Sequence, residues 1–374
     1  MKIYISKEPI DTLLGVVRHC DLPFHLEQHK WTIVDTIEEA DVIPVARPPI
    51  VQNFRNIDIN ITTQDQLAIL REKARGKTIL VMMHTHMSES YGSNFIDMVA
   101  EPYKEITDNV FVVDINYIPN DNPNHIFYDF CLVFNKIYFT EYNKYSLKDD
   151  RLWTSNCNES SFALRNIEPL NPKRKFLVPN NVRINTGEFK EFARAELRKI
   201  TSDDDCYFSD FQRGIFLDPE ELELQHCYTE NGTGFIPIAN KYYEDSVVSV
   251  YVETVGGSNL VKNSAGAVTE KTFSAFLKGH IILPFSTTGF VKYLKTHYGF
   301  KFPKWIDYRY DSIYDDNLRL QSYLCAVEEL KRLPLANLAK LANRDIEIRQ
   351  YNKQLMYDLS YDSLHDKVKA RINK

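Results

Sequence analysis

The chain has 374 residues, 44% hydrophobic and 26% charged, with 22 Tyr and 22 Phe against 13 Gly. That composition excludes a disordered or low-complexity protein, and the length favours two or three domains over one small core. A formal net charge of −6 gives no general attraction to nucleic acid, which needs clustered Lys and Arg.

From the N-terminus, "MKIYISKEPIDTLLG" enters a polar strand directly and lacks the apolar core of a signal peptide. Short β-type runs follow: "KIYIS" (2–6), "WTIVD" (31–35), "DVIPVA" (41–46), "TILVMMH" (78–84) and "VFVVDIN" (110–116). A helical pattern over 62–76, "TTQDQLAILREKARG", has Thr62 or Thr63 as its N-cap and Gly76 as its stop. Strands alternating with helices predict a mostly parallel, covered sheet. After the fourth run the loop "HTHMSESYG" holds His84, His86, Glu89 and Ser90. His-X-His at strand spacing supplies only two metal ligands where a catalytic zinc needs a third, so no metal is expected. Arg47, after "DVIPVA", reads as part of a turn fixed by Pro48 and Pro49.

Residues 151–174 are polar, contain prolines and show no steady period, which marks a linker. A second α/β unit begins with the strand "KFLVPN" (175–180) and the helix "TGEFKEFARAELRKI" (186–200). An acidic, loop-rich stretch follows: residues 201–253 carry twelve acids against Arg213 and Lys241, and "DDD" (203–205) reads as solvated. "SVVSVYVET" (246–254) and "HIILPF" (280–285) are buried strands. "WIDYRYDSIYDD" (305–316) reads as packing for the helical tail that begins near Asn317. Residues 331–374 carry ten Lys/Arg against five Asp/Glu, read as a solvated helical face. The six cysteines form no CxxC and read as reduced thiols, and no apolar run approaches the roughly 20 residues that span a bilayer. The chain therefore reads as cytoplasmic, without a transmembrane segment.

These elements predict an α/β protein of two facing Rossmann-like domains with a helical C-terminal tail. The predicted parts are an N-terminal domain at 1–150, a linker at 151–174, a C-terminal domain at 175–316 and a tail at 317–374. Ligands in such sheets sit at the carboxyl ends of the strands. "YVETVGGSNLVKNSAGAVTEKTF" (251–273) occupies such a place, with a strand ending at Glu253, a Gly/Ser/Asn-rich loop, and Glu270 and Lys271 opening a helix. One reading is a helix capped by Thr269 with charges on its surface. The other is a site for a ligand carrying hydroxyls and phosphates, since a helix start and a lysine suit a phosphate and a carboxylate suits a ribose.

"SVVSVYVET…AVTEKTFSAFLKGHIILPF" resembles the sugar-nucleotide signature of the α1,3-fucosyltransferase family, whose strand ends Phe-Glu-Asn before a loop, (Val/Ile)-Thr-Glu-Lys, a helix and a further strand. Glu253 falls on the first Glu, and Val268, Thr269, Glu270 and Lys271 reproduce the second element. Thr254 departs from the family's Asn, and "LPFSTTG" replaces its Gly-rich turn. "KFLVPNNVR" is similar to the family's strand followed by Ser-Asn and an Arg, which points to Asn180 and Arg183, with Lys190 a rival for the phosphate role. "SESYG" matches a Glu-Ser-Pro-like acceptor loop without its Pro, which makes Glu89 the expected base.

The resemblance implies a two-domain glycosyltransferase of the GT-B type that transfers with inversion and needs no metal or other cofactor. Its donor would be a GDP-linked sugar such as GDP-fucose, and its acceptor a hydroxyl of a glycan or similar molecule. Glu270 would hold the ribose, Lys271 and Arg183 the diphosphate, and Glu253 would orient the sugar or Lys271. The alternative, favoured by the departures at Thr254 and after Ser90, is a sugar-nucleotide- or carbohydrate-binding or structural protein without turnover.

Overall fold

Two separate parallel sheets organise the chain, one in each of two compact units. The computed structural model describes residues 1–5, 30–45, 64–83, 95–114, 122–129, 132, 166–180, 188–202, 204–210, 240–253, 268–360 and 362–373.

Unit 1 comprises Met1–Phe130 with Tyr361–Lys374. Its strands are β1 (Lys2–Tyr4), β2 (Thr32–Val34), β3 (Val42–Val45), β4 (Thr78–Met83), β5 (Val110–Asp114) and β6 (His125–Phe127), in the order β2-β1-β3-β4-β5-β6 and all parallel. Val42, Ile43, Val45, Ile79, Leu80, Val81 and Val112 are completely buried, as expected for strands covered on both faces. Helix α1 (Gln64–Lys73) turns Leu67 and Leu70 inward. Helix α2 (Phe95–Lys104) buries Ile96, Val99, Ala100 and Tyr103, spaced for one helical face. The sequence reading puts helical or mixed segments between the strand runs, as α2 is, but has no strand at β6, which is only three residues long.

Unit 2, Cys131–Ser360, carries β7 (Phe176–Asn180), β8 (Cys206–Asp210), β9 (Val248–Val252) and β10 (Ile281–Phe285). Its parallel sheet has the order β10-β9-β7-β8. Helix α3 (Glu188–Ile200) follows β7, α4 (Asn240–Glu244) precedes β9, and α5 (Glu270–Leu277) joins β9 to β10. After β10 come α6 (Phe290–Tyr293), a wider π-type turn (Leu294–Tyr298) and a 3₁₀ turn (Arg309–Ser312). Three helices then pack onto this unit: α7 (Asp316–Arg332), α8 (Leu335–Arg344) and α9 (Ile346–Asp358). Asp315 caps α7 by accepting from the Leu318 N–H at 2.9 Å.

The core of unit 2 joins Phe176, Val178, Val248, Val250, Leu283 and Phe285 of the sheet to Leu197 of α3 and Tyr323, Val327 and Leu330 of α7. The aromatic stretch read as packing for the helical tail also closes a sheet edge. Tyr308 and Tyr310 donate to the carbonyls of Ile282 and Pro284 at 2.7 and 2.6 Å, covering acceptors of edge strand β10. Pro284, which has no N–H to give, is tolerated on such an edge. Residues 166–174 have no regular element and are tied down by side chains of α8 and α9. Asn343 exchanges two hydrogen bonds with the Leu170 backbone (2.7 and 3.0 Å), and Gln350 accepts from the Ile167 N–H at 2.8 Å.

The last helix, α10 (Leu364–Ile372), belongs to unit 1. Ser363 caps it, and Lys367 donates to the Phe127 carbonyl at 2.9 Å, beside the end of β6. Asp366 pairs with Lys30 at 2.8 Å, and His365 stands edge-on to Trp31. Lys30, His365 and Ser363 together hold the Asp366 carboxyl well below its usual range.

Candidate functional site

In unit 2 the chain leaves β7 for β8 on one side and for β9 and β10 on the other, so the sheet's topological switch point lies between β7 and β9. The crevice at the carboxyl ends of two such strands is where open α/β sheets bind ligands. Asn180 closes β7 and Val252 closes β9, each four residues past the Phe176–Val248 register pair, and Glu253 comes next.

Glu253 is completely buried. Its backbone N–H still bonds to the Phe285 carbonyl at 2.8 Å, so its Cα is held at the sheet's end. Its carboxylate reaches the start of α5. Oε1 accepts from the Thr269 N–H at 3.2 Å and from the Thr272 hydroxyl at 2.6 Å, while Oε2 accepts from the Thr269 hydroxyl at 2.5 Å. Lys271 Nζ lies 3.8 Å from Oε2, with its side chain 4% exposed. A second hydroxyl extends the network, since Tyr251 lies 2.7 Å from Thr272 Oγ1. Burial, and after it the charge of Glu253, pushes the Tyr251 hydroxyl well above the usual tyrosine range, so it stays protonated.

Thr269 therefore stands at the N-cap position with extended backbone, yet its hydroxyl does not cap α5. It donates to Glu253, and the same carboxylate accepts from Thr269's own backbone N–H. The expected surface charges are also absent at Lys271, which is buried.

The next turn in the sheet is arranged differently. Gly289, with φ of 83°, leads into α6, and the Asp311 carboxylate accepts from the N–H groups of Val291 and Lys292, both at 2.9 Å. That helix start already holds an anion from the protein itself, and burial raises the Asp311 carboxyl above its ordinary range. Below it Arg319, 1% exposed, donates to the Ser286 carbonyl, the Thr288 hydroxyl and the Ile313 carbonyl at 2.8–3.1 Å and pairs with Asp316. This replaces the Gly-rich turn of the resemblance with a pinned loop.

Among the expected site residues, Glu253, Thr269 and Lys271 are brought together. Glu270 is the first residue of α5, Asn180 the last of β7, and Lys190 lies in the first turn of α3. Arg183 and Glu89, like His84, His86 and Arg47, lie outside the described residues. The sequence reading missed Tyr251 and Thr272. One is disguised as a core residue of an apolar strand and the other as an ordinary helix residue. Among the described residues no group of three or more His, Cys, Asp or Glu is placed to hold a metal, and no helix is long and apolar enough to cross a membrane.

No protein-family model matches the sequence, and no curated protein matches it. Solved structures do match. A crystal structure of an α1,3-fucosyltransferase aligns over 100% of this chain and 88% of that one, with a TM-score of 0.41 and 11% identity.

Proposed function

We propose that the chain is an inverting glycosyltransferase that moves a sugar from a nucleoside-diphosphate donor, GDP-linked and of the GDP-fucose kind, to a hydroxyl of a glycan-type acceptor. The observation that carries this reading is the lysine held at the first turn of α5, beside the switch point of the unit 2 sheet. A helix start and an ammonium together suit the diphosphate leaving group, on which negative charge grows as the bond to the anomeric carbon breaks. Arg183 and Lys190 would share that charge, Asn180 would contact the diphosphate, and Glu270 would take the ribose hydroxyls. Glu89 would remove the acceptor proton as its oxygen attacks from the opposite face. The burial of Glu253 supports the version in which it holds Lys271 and does not touch the sugar.

The test is a thermal-shift panel of GDP, UDP, ADP, CMP and their sugar conjugates on the wild type and on Lys271→Met. A ligand that binds only the native state raises its stability with concentration. A shift with guanine nucleotides that is lost in the variant is the expected result, and no shift with any nucleotide would sink the proposal. A second reading, a binding or structural protein without turnover, is favoured by the saturation of the Glu253 carboxylate, which would serve a purely structural helix seat equally well. Nucleotide-sugar binding without transfer or donor hydrolysis would select it.

A further inference from the structure

Thr272 has a single hydroxyl proton, and its Oγ1 stands 2.6 Å from a carboxylate oxygen that can only accept. The proton therefore lies on that bond, and the 2.7 Å contact with Tyr251 must be donated by the tyrosine. The hydrogen bonds run one way: Tyr251 hydroxyl to Thr272 hydroxyl to Glu253 Oε1. All three residues are completely buried. Oε2 is fixed separately by the Thr269 hydroxyl at 2.5 Å, and it is Oε2 that faces Lys271.

A carboxylate held at both oxygens cannot rotate. At 3.8 Å its attraction for Lys271 is a charge contact and not a hydrogen bond. Packing does not explain the two hydroxyls. Phenylalanine and valine would fill the same volumes, and buried polar networks of this kind give specificity of position more readily than net stability.

We propose that Tyr251 and Thr272 are positioning residues that act through Glu253 to fix the Lys271 ammonium at the start of α5. The functional half of this inference rests on the nucleotide-sugar reading above, and the geometric half does not.

The test uses the full chain with Thr272→Val, Tyr251→Phe and the conservative Thr272→Ser. Acylation of lysine amines, read by mass spectrometry, gives the labelling of Lys271 relative to Lys353, which is 2% exposed in the same unit. General loosening raises both lysines; a lost position raises Lys271 alone. The expected result is a ratio raised several-fold in Thr272→Val, less in Tyr251→Phe, and restored in Thr272→Ser. The affinity for GDP should fall about tenfold in Thr272→Val, the scale of one hydrogen bond to a charged group, and recover with Ser. An unchanged ratio in both Thr272→Val and Tyr251→Phe overturns the inference whether or not GDP binds. A wild type that binds GDP as tightly as Thr272→Val does, despite a raised ratio, overturns its functional half. A wild type that binds no nucleotide refutes the glycosyltransferase reading instead, and the labelling ratio still decides the positioning. Should Thr272→Val fail to fold, Tyr251→Phe carries the test.

Discussion

Removing the charge of Glu253 while keeping its size isolates what the buried pair does for the fold. At 3.8 Å, and with an effective dielectric of about 20, the attraction between Glu253 and Lys271 is about 4 kcal/mol before desolvation is counted. Glu253→Gln keeps an acceptor for the hydroxyls but removes the carboxylate charge that faces the buried ammonium. Breaking one side of a buried pair typically costs about 3–5 kcal/mol. Lys271→Met alone leaves a carboxylate that still accepts three hydrogen bonds, so it should cost less. The double variant removes both charges and should be more stable than Glu253→Gln, with a coupling of about 2 kcal/mol or more between the sites. Native-state hydrogen exchange of the β9 and α5 amides in increasing urea measures this within unit 2, without requiring the whole chain to unfold in one step. If the two single losses simply add, to within about 0.5 kcal/mol, the pair is not coupled and Glu253 does not hold Lys271.

Other parts of the structure make equally specific demands. His280 is 2% exposed between Ser246 and Ser249, and burial lowers its pKa from 6.5 to about 3; His125 is lowered to about 4. Both stay neutral in the folded state while the unfolded chain takes up protons below about pH 6.5. Their contribution to stability is complete above that pH and is lost as pH falls, toward about 4 for His125 and about 3 for His280, with a slope that His280→Asn should flatten in urea titrations; an unchanged slope would show that His280 is not buried neutral. Gly279 has φ of 67°, and a Cβ there would lie 2.1 Å from Ile167 Cδ1, whereas Gly76 at φ of 72° has open space. Gly279→Ala should therefore lose clearly more than the roughly 1–2 kcal/mol of a left-handed alanine that Gly76→Ala loses, and equal melting temperatures would contradict the packing of residues 166–174 onto this turn. Arg319→Met should cost about 3–5 kcal/mol by leaving Asp316 and the carbonyls of Ser286 and Ile313 short of a donor, and Arg319→Lys should not rescue it because an ammonium cannot span that fork.

Much of this architecture is written in short apolar runs. "TILVMM", "VFVVD", "FLVPN" and "IILPF" are strands because β-branched residues fill both faces of a covered parallel sheet, and their signal survives without any partner in view. β6, "HIF", is too short to show a period. β8, "CYFSD", stands directly behind an acidic run and looks like its continuation, although its edge position needs few apolar residues. At the site, a strand end and a helix start mark Glu253 and Lys271 locally, and the family resemblance is what sets them apart from an ordinary capped helix. Tyr251 and Thr272 have no such mark. Their hydroxyls meet only because β9 and α5 pack together, and neither residue's neighbours in sequence carry a trace of that. The return of residues 362–373 to unit 1 is equally silent, since "SLHDKVKARI" differs in nothing obvious from the helices before it.

That return imposes an order on synthesis. Unit 2 has all its elements once Ser360 has left the ribosome, whereas unit 1, begun first, still lacks the helix whose Lys367 and Arg371 reach the carbonyls of Phe127 and His125. At about 5–20 residues per second, the nascent N-terminal sheet spends on the order of tens of seconds without its final helix. Loss of this helix would therefore injure the unit that holds the chain's first strands and spare the elements of unit 2 that lie beside it in sequence.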